Sequence, residues 1–190
     1  MASFPQPPTR IKLRRDAIIH AIAFHDDMYA VGDDEALTVV DARTDHSIRR
    51  FEDLGTVLSV CFVGDRVAAG TLCGVVSLRK MCDHETWDRS CGCGSDELAL
   101  APAGSDRAGV RAIVSYGSRL AAGDAAGRVC VWYVGEAGSQ PLFALKAAKD
   151  RTCAVEGLAL HGTSLVVARS ALGATQVPLL SVWGLHDDTP

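Results

Sequence analysis

Val57 to Leu78 reads VLSVCFVGDRVAAGTLCGVVSL, Val110 to Val131 reads VRAIVSYGSRLAAGDAAGRVCV, and the two align over twenty-two residues without a gap at an offset of 53. Gly64 falls on Gly117, Arg66 on Arg119, Ala68-Ala69-Gly70 on Ala121-Ala122-Gly123, and Gly74 on Gly127. Apolar positions coincide at Val57/Val110, Val60/Ile113, Val67/Leu120 and Val76/Val129. A third copy lies upstream, Ile19 to Val40, where Ala30-Val31-Gly32 replaces Ala-Ala-Gly and Ile22 and Phe24 match Val60 and Phe62. A weaker fourth begins near Val155 and ends in Pro178 to Trp183, PLLSVW. The copies are spaced by about 38, 53 and 45 residues, a scatter that suits an array whose insertions fall in surface loops.

Each copy has the same grammar. A β-branched run is followed by a polar turn such as Gly64-Asp65 or Tyr116-Gly117-Ser118, then a second run ending in small residues. A glycine-containing hairpin leads to a third run such as Arg128 to Trp132. Short runs punctuated by turn residues predict antiparallel sheets. Continuous apolar stretches such as Val129-Cys130-Val131-Trp132 predict burial on both faces, as between stacked sheets. The small cluster predicts close approach of neighbouring backbones. Helical periodicity is lacking, so helix is a minor ingredient.

At these residues the chain resembles the WD-repeat family of β-propellers, whose blade has a V-x-x-V-x-F-like strand, a turn, L-A-S-G, a D-G hairpin, and V-x-V-W, often with a following Asp. Leu120-Ala121-Ala122-Gly123, Gly127 and Val129-Cys130-Val131-Trp132 follow that order closely. Arg79 stands where Trp would, Val182-Trp183 is followed by Gly184, and Asp41 takes the place of the family's Asp if the first hairpin is one residue shorter. The hairpin Asp is replaced by Cys73 and Ala126 and the Gly-His pair is missing, so the buried network of the family is incomplete and packing should carry more of the stability. The resemblance covers roughly residues 17 to 186 and implies an all-β fold of β-propeller blades, each a four-stranded antiparallel sheet. The blades are expected near 17–53, 54–80, 108–146 and 152–184, with an N-terminal arm at 1–16, an insertion at 81–107 and a tail at 187–190. Family rings usually close with about seven blades, so four make a partial ring. The readings are, in order of preference, a piece of a longer protein, two chains completing one ring by homo-association, or an open or four-bladed array, the open one with apolar end faces.

The chain of 190 residues carries 19 Lys and Arg against 23 Asp and Glu, a net charge of −4, which lacks the basic footprint of direct nucleic-acid binding. No apolar stretch reaches the length of a membrane-spanning helix. Met1 to Pro8 holds three prolines and no signal-peptide core; Arg10, Lys12, Arg14 and Arg15 read as a solvated arm. Seven scattered cysteines favour reduced thiols and an intracellular, cytoplasmic setting, with nucleus or organelle as further options.

Candidate chemistry is sparse. Cys82, His84, Cys91 and Cys93 place four thiol and imidazole donors within twelve residues, a set with zinc-binding chemistry but without the usual C-x2-C pair, and an incidental loop is the better reading. Asp33-Asp34-Glu35 and His25-Asp26-Asp27 read as solvated turn residues rather than cation ligands. Neither a nucleophile elbow nor a phosphate loop occurs, so no catalytic site, cofactor or metal site is assigned. The resemblance implies a non-catalytic scaffold for protein–protein interactions in a multiprotein complex, with partner contacts expected at Asp27, Arg66 and Arg119. Arg66 and Arg119 are equivalent in the repeat and should share a face, where a cationic strip could meet an acidic segment or RNA, although a structural role in covering strand edges is the better reading. The alternatives are an RNA- or ribonucleoprotein-associated WD-repeat subunit and a metal- or redox-responsive module built on Cys82 to Cys93.

Overall fold

Each copy of the repeat forms one antiparallel sheet whose strands follow chain order. A computed structural model of the protein describes residues 16–81, 95–99, 107–135, 138–146, 153–170 and 179–185. Sheet one contains β1 (Ala21–His25), β2 (Met28–Gly32), β3 (Leu37–Asp41) and β4 (Ser47–Phe51). Sheet two contains β5 (Val57–Val63), β6 (Arg66–Thr71), β7 (Val75–Lys80) and β8 (Ser95–Ala99). Sheet three contains β9 (Val110–Tyr116), β10 (Arg119–Asp124), β11 (Val129–Gly135) and β12 (Gly138–Leu145). Sheet four contains β13 (Val155–His161), β14 (Ser164–Arg169) and β15 (Leu179–Gly184). The fold is therefore all-β and built of propeller-type blades, and no helix occurs among the described residues.

The first two strands of every sheet are joined by a two-residue hairpin, with pairs His25↔Met28, Val63↔Arg66, Tyr116↔Arg119 and His161↔Ser164 at its mouth. Such tight connections match strand twist when the backbone enters the left-handed region. The first turn residue does so each time, with φ of 50° at Asp26 and 56° at Gly64, Gly117 and Gly162.

Sheets pack face to face in chain order, with β5, β9 and β13 each laid on the first and second strands of the preceding sheet. Leu37, Val39 and Phe51 of sheet one meet Val57, Val60 and Phe62 of sheet two. Val76, Leu78 and Leu98 of sheet two meet Val110, Leu120 and Trp132 of sheet three. Val129 and Val131 of sheet three meet Val155, Leu160, Leu165 and Val167 of sheet four. The glycine closing the small-residue cluster is required by this stacking. A Cβ on Gly32, Gly70 or Gly123 would overlap the side chain of Val57, Val110 or Val155 respectively, the residue that opens the next sheet. A valine thus seats in a notch left by the missing side chain, once per junction.

Two findings differ from the sequence reading. Strand β8 lies inside the 81–107 segment read as an insertion, pairing with β7 from Val75↔Ala99 to Arg79↔Ser95. Ser95–Ala99 has no β-branched or aromatic residue, so its backbone bonds and the buried Leu98 place it rather than any propensity. Asp33 is also not a solvated turn residue, because it is fully buried. Its Oδ1 accepts the backbone N–H groups of Glu35 at 2.8 Å and Ala36 at 2.7 Å, and its Oδ2 lies 3.4 Å from Arg50 Nη1.

The same position recurs in the next two sheets. Asp124, fully buried, accepts N–H bonds from Ala126 at 3.0 Å and Arg128 at 2.9 Å on Oδ1, and binds Arg128 Nε at 2.5 Å through Oδ2. Thr71 Oγ1 accepts the Val75 N–H at 3.2 Å and donates to the Val75 carbonyl at 2.9 Å. Each braces the hairpin that follows it, satisfying amides that would otherwise be buried without partners. The first of these hairpins is one residue shorter: Gly32 pairs with Leu37, whereas Gly70 pairs with Val76 and Gly123 with Val129. Asp41 accordingly occupies the position after Val40 that Tyr133 holds after Trp132. Its carboxylate accepts N–H bonds from Arg43 and Thr44, which hold its pKa below the usual carboxylate value.

Candidate functional site

The strand stack has two ends, and the candidate surfaces fall one on each. At the end carrying the bracing Asp and Thr residues, one repeat position holds His20, Leu58, Arg111 and Glu156, each directly after the residue that opens its copy. These four line a cleft of about 480 Å³ with Leu72, Gly109 and Ala125 from the adjoining turns. Leu72 is exposed and Leu58 half-buried, giving the cleft an apolar floor. Arg111 Nη2 and Glu156 Oε2 form an ion pair of 2.9 Å on one side. On the other, His20 Nε2 lies 2.6 Å from Asp34 Oδ1, and Thr56 donates to the Asp34 carbonyl at 3.0 Å.

The Asp34 carboxyl is held below its ordinary value of 3.8, first by the His20 hydrogen bond and then by the Ile18 backbone N–H. A depressed carboxylate contributes its stability in full above the unfolded value and loses it as pH falls through the folded one. Wild-type protein is therefore expected to melt higher than Asp34→Asn at pH 6, with the two curves converging below about pH 4. Thermal melts across that range check this, and a gap independent of pH would contradict it.

The opposite end carries the residues singled out from sequence. Asp27 lies in the β1–β2 turn, and Arg66 and Arg119 open β6 and β10, so all three occupy the same end of their sheets. Asp27 forms an exposed ion pair with Arg43. Arg66 Nη2 donates to the Gly135 carbonyl at 3.3 Å, and Arg119 Nη1 donates to the Gly162 carbonyl at 2.7 Å. The two equivalent arginines thus do equivalent work, each tying its sheet to the following one. A second cleft of about 530 Å³ lies here, lined by Asp65, Arg66, Lys80, Tyr133 and Gly135 among others, with Lys80 Nζ 3.5 Å from Asp65 Oδ2.

Cys82, His84, Cys91 and Cys93 lie outside the described residues. Among the described residues no group of three or more His, Cys, Asp or Glu side chains is arranged to hold a metal ion. Cys61, Cys73 and Cys153 are free thiols. Burial raises Cys61 to about 12 and Cys130 to about 11, which keeps both protonated and unreactive at neutral pH.

Sequence reasoning did not find the cleft row of His20, Leu58, Arg111 and Glu156. The signal was a column of the repeat in which four copies carry four unlike side chains, and apolar matching passes over such a column.

No protein-family model matches the chain, and comparison with curated proteins gave no significant match. Solved structures do match. The computationally designed Ika4 protein aligns with a TM-score of 0.65 at 19% identity, over 95% of this chain and 100% of its own. The designed Ika8 protein aligns with a TM-score of 0.63 at 19% identity, over 87% of this chain and 45% of its own. The RRP9 WD40 repeats align with a TM-score of 0.64 at 16% identity, over 84% of this chain and 47% of theirs. The resemblance read from the repeat is thus upheld at the level of the fold, and the chain spans about half the length of the last two structures.

Proposed function

We propose that the chain is a non-catalytic scaffold for protein–protein interaction, and that it docks a short segment of a partner protein in the cleft between Leu58 and Leu72. The observation that carries this reading is the contrast between columns of the repeat. Core columns such as Ile19, Val57, Val110 and Val155 hold like residues, whereas the cleft column holds His20, Leu58, Arg111 and Glu156 on the same rigid frame. Uniform residues serve the stack; unlike ones at equivalent exposed positions serve recognition, which a fold by itself does not specify. An apolar floor flanked on each side by an acid–base pair, Arg111 with Glu156 and His20 with Asp34, suits an apolar anchor with charged neighbours. The setting we favour is intracellular, in keeping with the odd number and wide scatter of the seven cysteines.

Screening a library of short peptides by fluorescence anisotropy tests this reading. A binder should lose at least ten-fold in affinity, about 1.4 kcal/mol, with Leu72→Asp or Arg111→Glu, and keep its affinity with Arg66→Ala. Binding that ignores Leu72→Asp would overturn it. RNA association would require Arg66 and Arg119 to face phosphate, but each directs a guanidinium N–H at a carbonyl of the next sheet. A salt-sensitive RNA complex lost in the Arg66→Ala/Arg119→Ala variant would replace the peptide reading with that one.

A further inference from the structure

Every internal junction follows one rule: the residue that opens a sheet inserts into the small-residue notch of the sheet before it. Val57, Val110 and Val155 are the three inserted residues, each wholly buried, and Gly32, Gly70 and Gly123 form their notches. Among the described residues, the two ends of the stack repeat this rule without a partner. Ile19, equivalent to Val57, is 46% exposed, and on the same face Ile22 and Phe24 are exposed, Phe24 to 73%, although its equivalent Phe62 is buried. At the other end Ala168 stands in the place of Gly123, and the small residue has moved across the pair to Gly157. Among the described residues a Cβ on Gly157 would meet only Ala168, at 3.8 Å, so none of them fills this notch.

The third strand shows the same contrast. Leu37 and Val39 of β3, Val76 and Leu78 of β7, and Val129 and Val131 of β11 are buried on the face turned to the following sheet. Their counterparts Leu180 and Val182 of β15 are 67% and 70% exposed. Solvated end faces would favour polar side chains at these positions, yet both ends keep the apolar residues of an internal junction. Contiguous exposed apolar surface of this kind marks an interaction site. Tyr29, Val31 and Val40 on the β2–β3 part of the first face already form a buried cluster. The open part is thus the β1 side, which is the part an internal junction uses, because β5, β9 and β13 make the contacts there.

We propose that a second copy of this chain docks end to end, Ile19, Ile22 and Phe24 of one copy seating against Gly157, Ala168 and Val182 of the other. Two such junctions related by a two-fold axis close a ring of eight sheets. The second copy is the occupant favoured because the two ends complement each other: one carries the knob and the other the notch of the same repeating junction. The contact is head to tail, and closure uses up both ends at once.

Light scattering on the full chain tests this, with Phe24→Asp at one end and Val182→Asp at the other. Both side chains are exposed in the single chain, so neither change should disturb its fold, which circular dichroism would verify. Wild-type protein should have twice the 20.1 kDa chain mass. Each variant alone damages both junctions and should run as a monomer. Mixing the two variants leaves one junction intact and one doubly damaged, so a mixed dimer should reappear at higher concentration. A monomeric wild type would overturn the proposal in favour of further sheets from a longer chain as the occupant. A dimer unaffected by either variant would overturn it by placing the contact elsewhere.

Discussion

Replacing Trp132 with alanine is expected to lower the free energy of unfolding by about 4 kcal/mol, the largest loss of any single substitution considered. Trp132 lies on β11 with its side chain buried between sheets two and three, in one cluster with Leu78, Leu98, Leu120 and Val134. Truncation removes the largest apolar side chain of that junction and leaves a cavity walled by two paired sheets, which cannot collapse without breaking strand pairing. Trp132→Phe refills most of the space and should cost about 1 kcal/mol, in line with near-isosteric core changes. Urea denaturation of the three proteins measures both differences. A loss below about 2 kcal/mol for Trp132→Ala would mean that the junction repacks more readily than close packing allows.

The second large effect belongs to Asp124. Asp124→Ala removes the acceptor of two hairpin amides and the partner of Arg128, whose side chain is largely buried beside it. Breaking a buried pair from one side withdraws a close counter-charge from the group that remains, and the expected loss is about 3 kcal/mol. Asp124→Asn keeps an oxygen for the amides and gives up the charge, so it should fall between wild type and alanine. Equal stability of the Asn and Ala variants would show that the ion pair, and not the hairpin amides, dominates. Thermal or urea melts at pH 7 make the comparison.

The strand grammar was legible from sequence because packing on both faces of a sheet forces matching apolar columns, and a gap-free match of Val57–Leu78 with Val110–Val131 exposes them. The Ala-Ala-Gly cluster was legible for the same reason: only a glycine notch admits the next valine. What escaped the reading lacked a side-chain signature. Ser95–Ala99 is fixed by backbone bonding to β7, which any residue but proline supplies. Asp33 and Asp124 resemble turn residues in sequence, since burial depends on the sheet that covers the hairpin and not on local composition. The third member of that column is Thr71, a different residue type performing the same bracing, which hides the column from residue matching. Arg66 and Arg119 stood out as equivalent, but whether a guanidinium faces solvent or reaches a carbonyl 69 or 43 residues away is decided only by stacking.

The serial stacking of the sheets also bears on how the chain reaches its fold. Among the described residues every strand pairing joins neighbours in sequence, so the backbone loops to be closed are local and the entropy of closing them is small. A hairpin from any copy can therefore start the process, and a finished sheet offers its face as a template to the next. Sheets two and three gain from neighbours on both sides, whereas one and four gain from one side within the chain. Nearest-neighbour energetics of this kind make opening progressive, from the outer sheets inward. The middle of the chain is then the last region to release its amides to solvent and the first to regain them.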